Sequence, residues 1–322
     1  MRLPRLTAVL LLIWPTVAPW AVEQPSPEPG EKSGLAATKP ASQNSRFEGF
    51  LYLDTEGNPL PIQSDAEIEA FLVEAEIVET SFDVTGVTRP RRVVLLGDGF
   101  RAHAIFKDVN IERKKVTEII NGRNRFSLDW RDWHGYDAAA YELDRLLGID
   151  RVPPAVPRSI GRDSGTIRIW LEGTVSEFER SRELHIPPPD QRRWNQQRSM
   201  MQVFDNLVAN RDSNLGNLLI DTKWRLWFID CTRCFGNTKA MYFPLENISQ
   251  CERGFWRGLE NLDAARAKEH LSRYLKKAEI SALLARRDTI VRHFQKLIDE
   301  RGEERVLFEV DPPIETAPWG DD

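Results

Sequence analysis

The most constraining feature of this sequence is a polar segment followed by two short apolar runs. Residues 210–217 read Asn-Arg-Asp-Ser-Asn-Leu-Gly-Asn, and the apolar runs 218–220 and 226–229 lie between this segment and Asp230. Two such runs predict a short hairpin whose antiparallel strands bring Asn217 and Asp230 side by side. Phosphoryl transfer requires an Asp that meets a hydroxyl, and an Asn and a second Asp that hold metal ions on phosphates. The spacing therefore predicts a metal-nucleotide site built from local sequence.

This segment resembles the catalytic and metal-binding segments of the protein-kinase-like superfamily. Its Asn-Arg-Asp-x-x-x-Gly-Asn form is most similar to the atypical branch, which holds the phosphatidylinositol 3- and 4-kinases, the HipA-like kinases and the secretory-pathway Golgi casein kinases. The resemblance implies that Asp212 is the catalytic base and that Asn217 and Asp230 are ligands of Mg²⁺ or Mn²⁺. Two features depart from the pattern. Ser-Asn follows Asp212 where lipid kinases often have a His, and Cys-Thr-Arg-Cys-Phe-Gly follows Asp230 where ordinary protein kinases have Phe-Gly. An Asx-rich turn explains each residue separately but not the spacing.

A lysine on a predicted strand is the candidate for binding the nucleotide phosphates. Residues 93–96 and 102–109 are apolar runs joined by a Gly-Asp-Gly turn, which predicts a hairpin. Alternation puts Lys107 on the same face as Ile105, an unusual position for a solvated charge. The alternative is a strand lysine that faces solvent. The resemblance implies that Lys107 contacts the α- and β-phosphates of ATP.

The helix predicted at residues 136–147 offers a partner for this lysine. Apolar residues recur there at helical spacing, and a Gly at 148 ends the pattern. Asp137 lies at the edge of the apolar stripe, whereas Glu142 lies on the opposite side and is expected to face solvent. The helix resembles that of the Golgi casein kinases, in which Glu usually stands at the place of Asp137. The resemblance implies an ion pair between Asp137 and Lys107.

Two further positions are candidates for nucleotide binding. Thr85 and Gly86 lie in a turn where the resemblance implies a phosphate-covering loop, whose backbone N–H groups can bind phosphates. A plain β-turn explains the same residues. Glu172 follows a predicted strand at 166–171, and by position it lies at the adenine-side hinge.

The order of elements predicts an α+β, two-lobed protein-kinase-like fold, with a β-rich N-lobe at 46–172 and a mostly helical C-lobe at 173–310. A capped helix at 65–76 and a strand from residue 77 precede the hairpin, a helix at about 190–209 precedes the polar segment, and residues from about 260 to 301 are helical in pattern. The resemblance covers about residues 70–240.

The N-terminus predicts export. A basic start, a short apolar run and small residues fit a signal peptide at 1–21, cleaved after Ala21 rather than Ala18 because Pro19 disfavours the earlier point. The apolar run is short for a membrane span, so no stable span is expected after cleavage; an uncleaved anchor or an extended tail is the alternative. Residues 22–45 are predicted to be a disordered linker, and 311–322 an acidic tail. A net charge of −5 does not favour nucleic acid as a partner.

The cysteines argue against two common site classes. Only Cys231, Cys234 and Cys251 are present, and an odd count is not a disulfide framework. One pair can close in an oxidising compartment, either between the first two or with the third. The Cys-x-x-Cys lacks a second ligand pair for zinc and does not open a helix as a thioredoxin-type motif does.

These features lead to one leading hypothesis and three alternatives. The resemblance implies an exported ATP-dependent kinase that transfers the γ-phosphoryl group, with a protein hydroxyl as the preferred acceptor and Mg²⁺ or Mn²⁺ as cofactor. A lipid or sugar acceptor remains open. So does nucleotidyl transfer (AMPylation), if ATP binds reversed. The third alternative is a pseudokinase that only binds nucleotide, although the retention of Lys107, Asp212, Asn217 and Asp230 argues against it.

Overall fold

The computed structural model describes residues 52–82, 90–120, 123–310, 317 and 319. The predicted phosphate-loop residues Thr85 and Gly86 lie outside the described residues. So do the predicted signal peptide, the linker and most of the predicted tail. The proposals that concern these segments therefore stay predictions, as do the lobe boundaries.

Strands dominate the first half of the described chain. They are β1 (Glu76–Phe82), β2 (Arg91–Gly97), β3 (Phe100–Lys107), β4 (Asn110–Ile120), β5 (Arg123–Trp133), β6 (Ala155–Ile160), β7 (Asp163–Ile169), β8 (Val175–Ser176), β9 (Leu218–Ile220), β10 (Leu226–Phe228), β11 (Cys251–Glu252) and β12 (Leu307–Phe308). The predicted hairpin is β2–β3, and the predicted strand before the hinge is β7, which begins and ends slightly earlier than expected.

Most of the helices lie in the second half of the described chain, and two precede them. The helices are α1 (Asp65–Glu74), α2 (Gly135–Leu147), α3 (Gln191–Val208), α4 (Arg253–Asn261), α5 (Ala264–Leu271), α6 (Lys277–Arg301) and α7 (Glu303–Val306). The Ser64 side chain caps α1 in a capping box with Glu67, as the sequence predicts. Helix α1 ends two residues before the predicted position because Ala75 is extended. Asp190 caps α3 and Gly148 ends α2 in the left-handed region.

The N-terminal half is built on a five-stranded sheet in the order β1-β2-β3-β7-β6. One face of this sheet packs on α1, and its core includes Ala102, Ala104 and Phe106 of β3. Because side chains alternate along a strand, Ile105 and Lys107 point to the other face, toward the helical half. A second, larger core holds α2 together with α3 to α6. Lys107 of β3 pairs with Asp137 of α2 at a cleft where the two halves meet.

A long hairpin between the lysine strand and α2 is not predicted from the sequence. Strands β4 and β5 pair over eleven residues each as a separate two-stranded sheet. An Asn-Gly dipeptide at 121–122 was the available signal, since Asn-Gly between extended runs is a strong hairpin indicator. The hairpin matters for the site because its base lies beside the segment that follows Asp230.

Among the described residues, no helix is both long enough and apolar enough to cross a bilayer.

Candidate active site

Lys107 lies between two carboxylates from distant parts of the chain. Its Nζ is 2.8 Å from Asp137 Oδ2 on α2 and 2.8 Å from Asp230 Oδ1 at the end of the second hairpin. Lys107 and Asp137 are buried, with 6% and 4% of their surface exposed, whereas Asp230 is partly open. The ion pair that the resemblance implies between Lys107 and Asp137 is therefore present.

Asp137 makes a second contact that explains how the shorter carboxylate is accommodated. Its Oδ1 accepts a hydrogen bond of 2.7 Å from the backbone N–H of Cys231, while its Oδ2 faces Lys107. One buried carboxylate thus joins β3, α2 and the segment after β10. Both of its oxygens have partners, which a buried charge requires.

Lys107 and the carboxylates beside it stabilise each other's charged forms. Burial by itself lowers the pKa of Lys107, but the adjacent carboxylates of Asp137 and Asp230 outweigh it and leave the pKa raised. Burial likewise tends to raise the pKa of Asp230, and Lys107 outweighs it, so that this pKa is lowered. Both shifts favour the charged forms of Lys107 and Asp230.

The prediction for Glu142, the second carboxylate candidate on α2, is wrong. Glu142 was expected to face solvent. Its carboxylate instead lies 2.9 Å from Arg273 Nη2 and 3.0 Å from His270 Nδ1, and only 19% of the side chain is exposed. The helix is covered on that side by α5 and its C-terminal turn, which an isolated helical pattern does not reveal. Glu142 has no contact with Lys107.

The polar segment after α3 is held by Asp205, a residue that the sequence analysis missed. Its carboxylate accepts hydrogen bonds from Asn210 Nδ2 at 2.8 Å and from Ser213 Oγ at 2.5 Å. Burial raises the pKa of Asp205 to about 6, although both hydrogen bonds oppose this rise. An acidic residue among the buried residues of α3, next to Phe204 and Leu207, was the signal that this side chain had a structural partner.

Local hydrogen bonds shape the rest of this loop. Asn210 Oδ1 accepts from the N–H of Asp212 at 3.0 Å, and Asn214 Oδ1 accepts from the N–H of Gly216 at 2.9 Å. These are the Asx turns expected of Asn-rich segments. Asn217 differs, because its Nδ2 donates to the Asp212 carbonyl at 2.9 Å and leaves its Oδ1 as an acceptor.

The second hairpin forms as predicted and brings Asn217 to Asp230. Leu218 pairs with Phe228, and the N–H of Ile229 donates to the Asn217 carbonyl at 3.1 Å. Asp230 has a φ of 63°, in the left-handed region that non-glycine residues rarely adopt.

These oxygens suit a magnesium or manganese ion. Asn217 Oδ1 and the Asp230 oxygen that does not face Lys107 are hard oxygen donors. Within the described ranges, no group of three or more His, Cys, Asp and Glu side chains is arranged as a metal site. Mg²⁺ is commonly held by one or two protein groups together with substrate phosphates, so the donor set fits an ion that arrives with a nucleotide.

Asp212 lies at the open side of this cluster. Its Oδ2 is 3.3 Å from Arg233 Nη1, and its Oδ1 accepts from Asn214 Nδ2 at 3.2 Å. Burial raises the pKa of Asp212, and Arg233 opposes the rise. The carboxylate is 41% exposed and therefore accessible to a hydroxyl group.

Glu172 does not join this cluster. Its Oε1 lies 2.5 Å from His103 Nδ1 and 3.7 Å from Arg92 Nη2. Arg92 also stacks on Trp170, with 4.4 Å between the guanidinium carbon and the ring centroid. The predicted role of Glu172 at the adenine-side hinge stays a prediction.

The three cysteines are free and buried. Burial and a contact between the two thiols keep the pKa of Cys234 well above its usual value. The Cys-x-x-Cys follows a metal-ligand candidate and lies under the cleft without opening a helix.

Comparisons with solved structures define the class of fold. A hydra Fam20 structure with sugar has a TM-score of 0.58 and 17% identity, over 77% of this chain and 94% of that chain. A Golgi casein kinase structure has a TM-score of 0.53 and 16% identity, over 82% and 84%. A Golgi casein kinase with Mn/ADP bound has a TM-score of 0.51 and 16% identity, over 76% and 78%.

The chain therefore has a two-lobed, α+β protein-kinase-like fold. Its structural neighbours are of the atypical kind, as the sequence resemblance implies. No protein-family model and no curated protein sequence matches it. At these identities the similarity establishes the fold, and the chemistry has to be argued from the site.

Proposed function

We propose that this chain is an exported ATP-dependent kinase that transfers the γ-phosphoryl group to a hydroxyl, with a protein hydroxyl as the preferred acceptor. The observation that carries the proposal is the contact of Lys107 with both Asp137 and Asp230. It joins the phosphate-binding candidate to the metal-binding candidate. Export rests on residues 1–21 of the sequence.

The transfer assigns one task to each side chain. The acceptor hydroxyl donates its proton to Asp212 while its oxygen forms a bond to the γ-phosphorus. The bond between that phosphorus and the β,γ-bridging oxygen breaks, and the electron pair leaves with ADP. Lys107 binds the α- and β-phosphates, and Asp137 keeps its ammonium in place. Positioning and charge stabilisation supply most of the rate enhancement.

Asn217 and Asp230 would hold Mg²⁺ or Mn²⁺. When bound, the ion would neutralise phosphate charge and fix the orientation of the phosphates. A solved neighbour with Mn/ADP bound supports nucleotide and metal use, although Mg²⁺ and Mn²⁺ are equally compatible with these oxygen donors.

The cost in folding stability of these site residues favours an active enzyme over a pseudokinase. A buried ion pair of the Lys107–Asp137 kind gives little stability compared with apolar residues of similar volume. The strained backbone at Asp230 adds a further cost. A module that serves only as a scaffold has no need of either feature.

The proposal is tested by intact mass spectrometry of the purified full chain after incubation with ATP and Mg²⁺ or Mn²⁺. A pool of Ser, Thr and Tyr peptides, an inositol lipid and a glycan serve as acceptors. Phosphoryl-sized increments on a peptide or on the chain itself, absent in Asp230→Ala and retained in Asp288→Ala, would support it. Asp288 is a suitable control because it is exposed on α6.

Other products would redirect the proposal. Increments of nucleotidyl size would indicate AMPylation, and phosphorylation of the lipid or glycan alone would change the acceptor class. Nucleotide binding without transfer to any acceptor would favour a pseudokinase.

A further inference from the structure

Arg233, in the Cys-Thr-Arg-Cys segment after Asp230, lies between two carboxylates. Its Nε is 2.9 Å from Asp132 Oδ2, and its Nη1 is 3.3 Å from Asp212 Oδ2. Among the described residues, its Nη2 makes no hydrogen bond. The guanidinium is therefore anchored on one side, contacts the proposed base on another, and keeps one nitrogen available.

The anchor comes from the base of the β4–β5 hairpin. Asp132 is 1% exposed, and the adjacent Trp133 donates its backbone N–H to the Thr232 carbonyl at 2.8 Å. This bond fixes β5 beside the residue that precedes Arg233. Because a charge as buried as Asp132 needs a partner, the carboxylate restricts where the guanidinium can lie.

Arg233 also supplies the positive charge nearest the proposed base. It is attracted to Asp230 as well as to Asp132 and Asp212. The loop itself offers Arg211, but that side chain faces Glu118 of β4, with 3.5 Å between Nη1 and Oε2. In the part of the chain that the structure describes, Arg233 is the cation paired with Asp212.

A cation at this position suits the chemistry of the transfer. As the γ-phosphoryl group leaves ADP, its oxygens carry negative charge close to the carboxylate that accepts the hydroxyl proton. Two negative groups at one point repel each other, and a fixed guanidinium between them lowers the energy of the transition state.

We propose that Arg233 is a positioning residue of the transfer reaction: it orients Asp212 and neutralises charge at the transferring phosphoryl group, while Asp132 of the hairpin holds it in place. This inference rests on the proposed kinase function. It makes the β4–β5 hairpin part of the active site, although no residue of the hairpin is a candidate base or metal ligand.

The test compares Arg233→Gln, Arg233→Lys and Asp132→Asn in the full chain, on the acceptor found in the mass experiment. Arg233→Gln is expected to lower kcat about 100-fold, with the affinity for ATP measured by titration changed less than about 3-fold. Arg233→Lys keeps the charge and is expected to recover about a tenth of the activity. Asp132→Asn is expected to lower kcat about 10-fold. A fourth variant, Arg233→Ala, tests chemical rescue: free guanidinium ion is expected to restore part of the rate that this variant loses.

Arg273→Gln is the matched control, because Arg273 is 64% exposed and pairs with Glu142 away from the cleft. Loss of kcat in Arg233→Gln with no recovery in Arg233→Lys and no guanidinium rescue would indicate a merely structural role and overturn the inference. A higher kcat in Arg233→Gln would also overturn it, since Arg233 would then block Asp212. If the unmutated protein is active and Arg233→Gln retains its kcat, this inference fails alone. An unmutated protein that transfers nothing overturns the proposed function and this inference together.

Discussion

The two walls of the cleft are held by contacts of different range along the sequence. On the sheet side, Lys107 pairs with Asp230, 123 positions away, and Asp137 accepts a hydrogen bond from the N–H of Cys231, 94 positions away. On the loop side, Asp205, Asn210 and Ser213 bond within eight positions of one another. The phosphate-binding wall therefore depends on the whole fold, whereas the catalytic loop is shaped mainly by its own sequence.

This difference predicts that substitutions in the two walls affect activity and stability differently. A change at the half-exposed Asp212 on the loop side removes chemistry and leaves the fold intact. A change on the sheet side leaves a buried charge without its partner and destabilises the fold as well as the site. The predictions below test that contrast, from the largest expected effect to the smallest.

The largest effect is expected for Asp212→Asn on the loop side. The amide keeps the shape of the carboxylate but cannot accept the hydroxyl proton, so kcat should fall about 1,000-fold. The affinity for ATP and the midpoint of thermal unfolding should stay close to those of the unmutated protein. Asp299→Asn, on the exposed face of α6, controls for the loss of one negative charge. A variant that loses activity and stability together would contradict the separation of the two walls.

Lys107→Met is expected to show the opposite behaviour. It leaves Asp137 buried without its cation, so the free energy of unfolding should fall by about 3 kcal/mol, measured by urea denaturation. Binding of ATP should be lost in the same variant. The control is Lys276→Met, whose ion pair with Glu112 is exposed and should contribute no more than about 1 kcal/mol. Equal stability of the two variants would show that the Lys107 pair is not a structural element.

The same contrast explains how much of the site could be predicted from the sequence. The hairpin that brings Asn217 toward Asp230 was predicted from spacing, because a hairpin of few residues determines where its ends lie, whereas the role of Asp212 stays a prediction from the resemblance. The pairing of Lys107 with Asp137 was predicted only through the resemblance, since no local rule joins a strand to a helix across an inserted hairpin.

The contacts that were not predicted were missed for the same physical reason: the partner residues are far apart in the sequence. Asp132 and Arg233 lie 101 positions apart and meet only because β5 runs back to the segment after β10. Glu142 was misassigned because its cover, α5 and the turn after it, follows more than a hundred residues later. Burial created by distant elements cannot be read from the periodicity of one helix.

The pH dependence of stability tests the loop side again. The pKa of Asp205 is about 6 in the folded protein, above the ordinary value of 3.8. The folded state therefore holds this proton more tightly than the unfolded state, so its stabilising contribution is present below about pH 4 and is lost as the pH rises through 6. Between these values the free energy of unfolding should fall by up to about 1 kcal/mol per pH unit from this group. In Asp205→Asn that part of the slope should disappear, as measured by urea denaturation at several pH values. An unchanged slope would place the titration on another residue.

The smallest effect is expected for Asp137→Glu, which lengthens the carboxylate by one methylene to the residue that the sequence resemblance leads us to expect at this place. Asp137 now reaches Lys107 with one oxygen and the N–H of Cys231 with the other, at 2.8 and 2.7 Å. An added methylene in this packed position forces either α2 or the segment after Asp230 to move, which should cost about 1 kcal/mol. Because the ion pair itself can re-form, ATP affinity should fall less than in Lys107→Met. If Asp137→Glu is instead more stable and binds ATP more tightly, then the ion pair that Asp137 forms with Lys107 is weaker than the one that a Glu forms there.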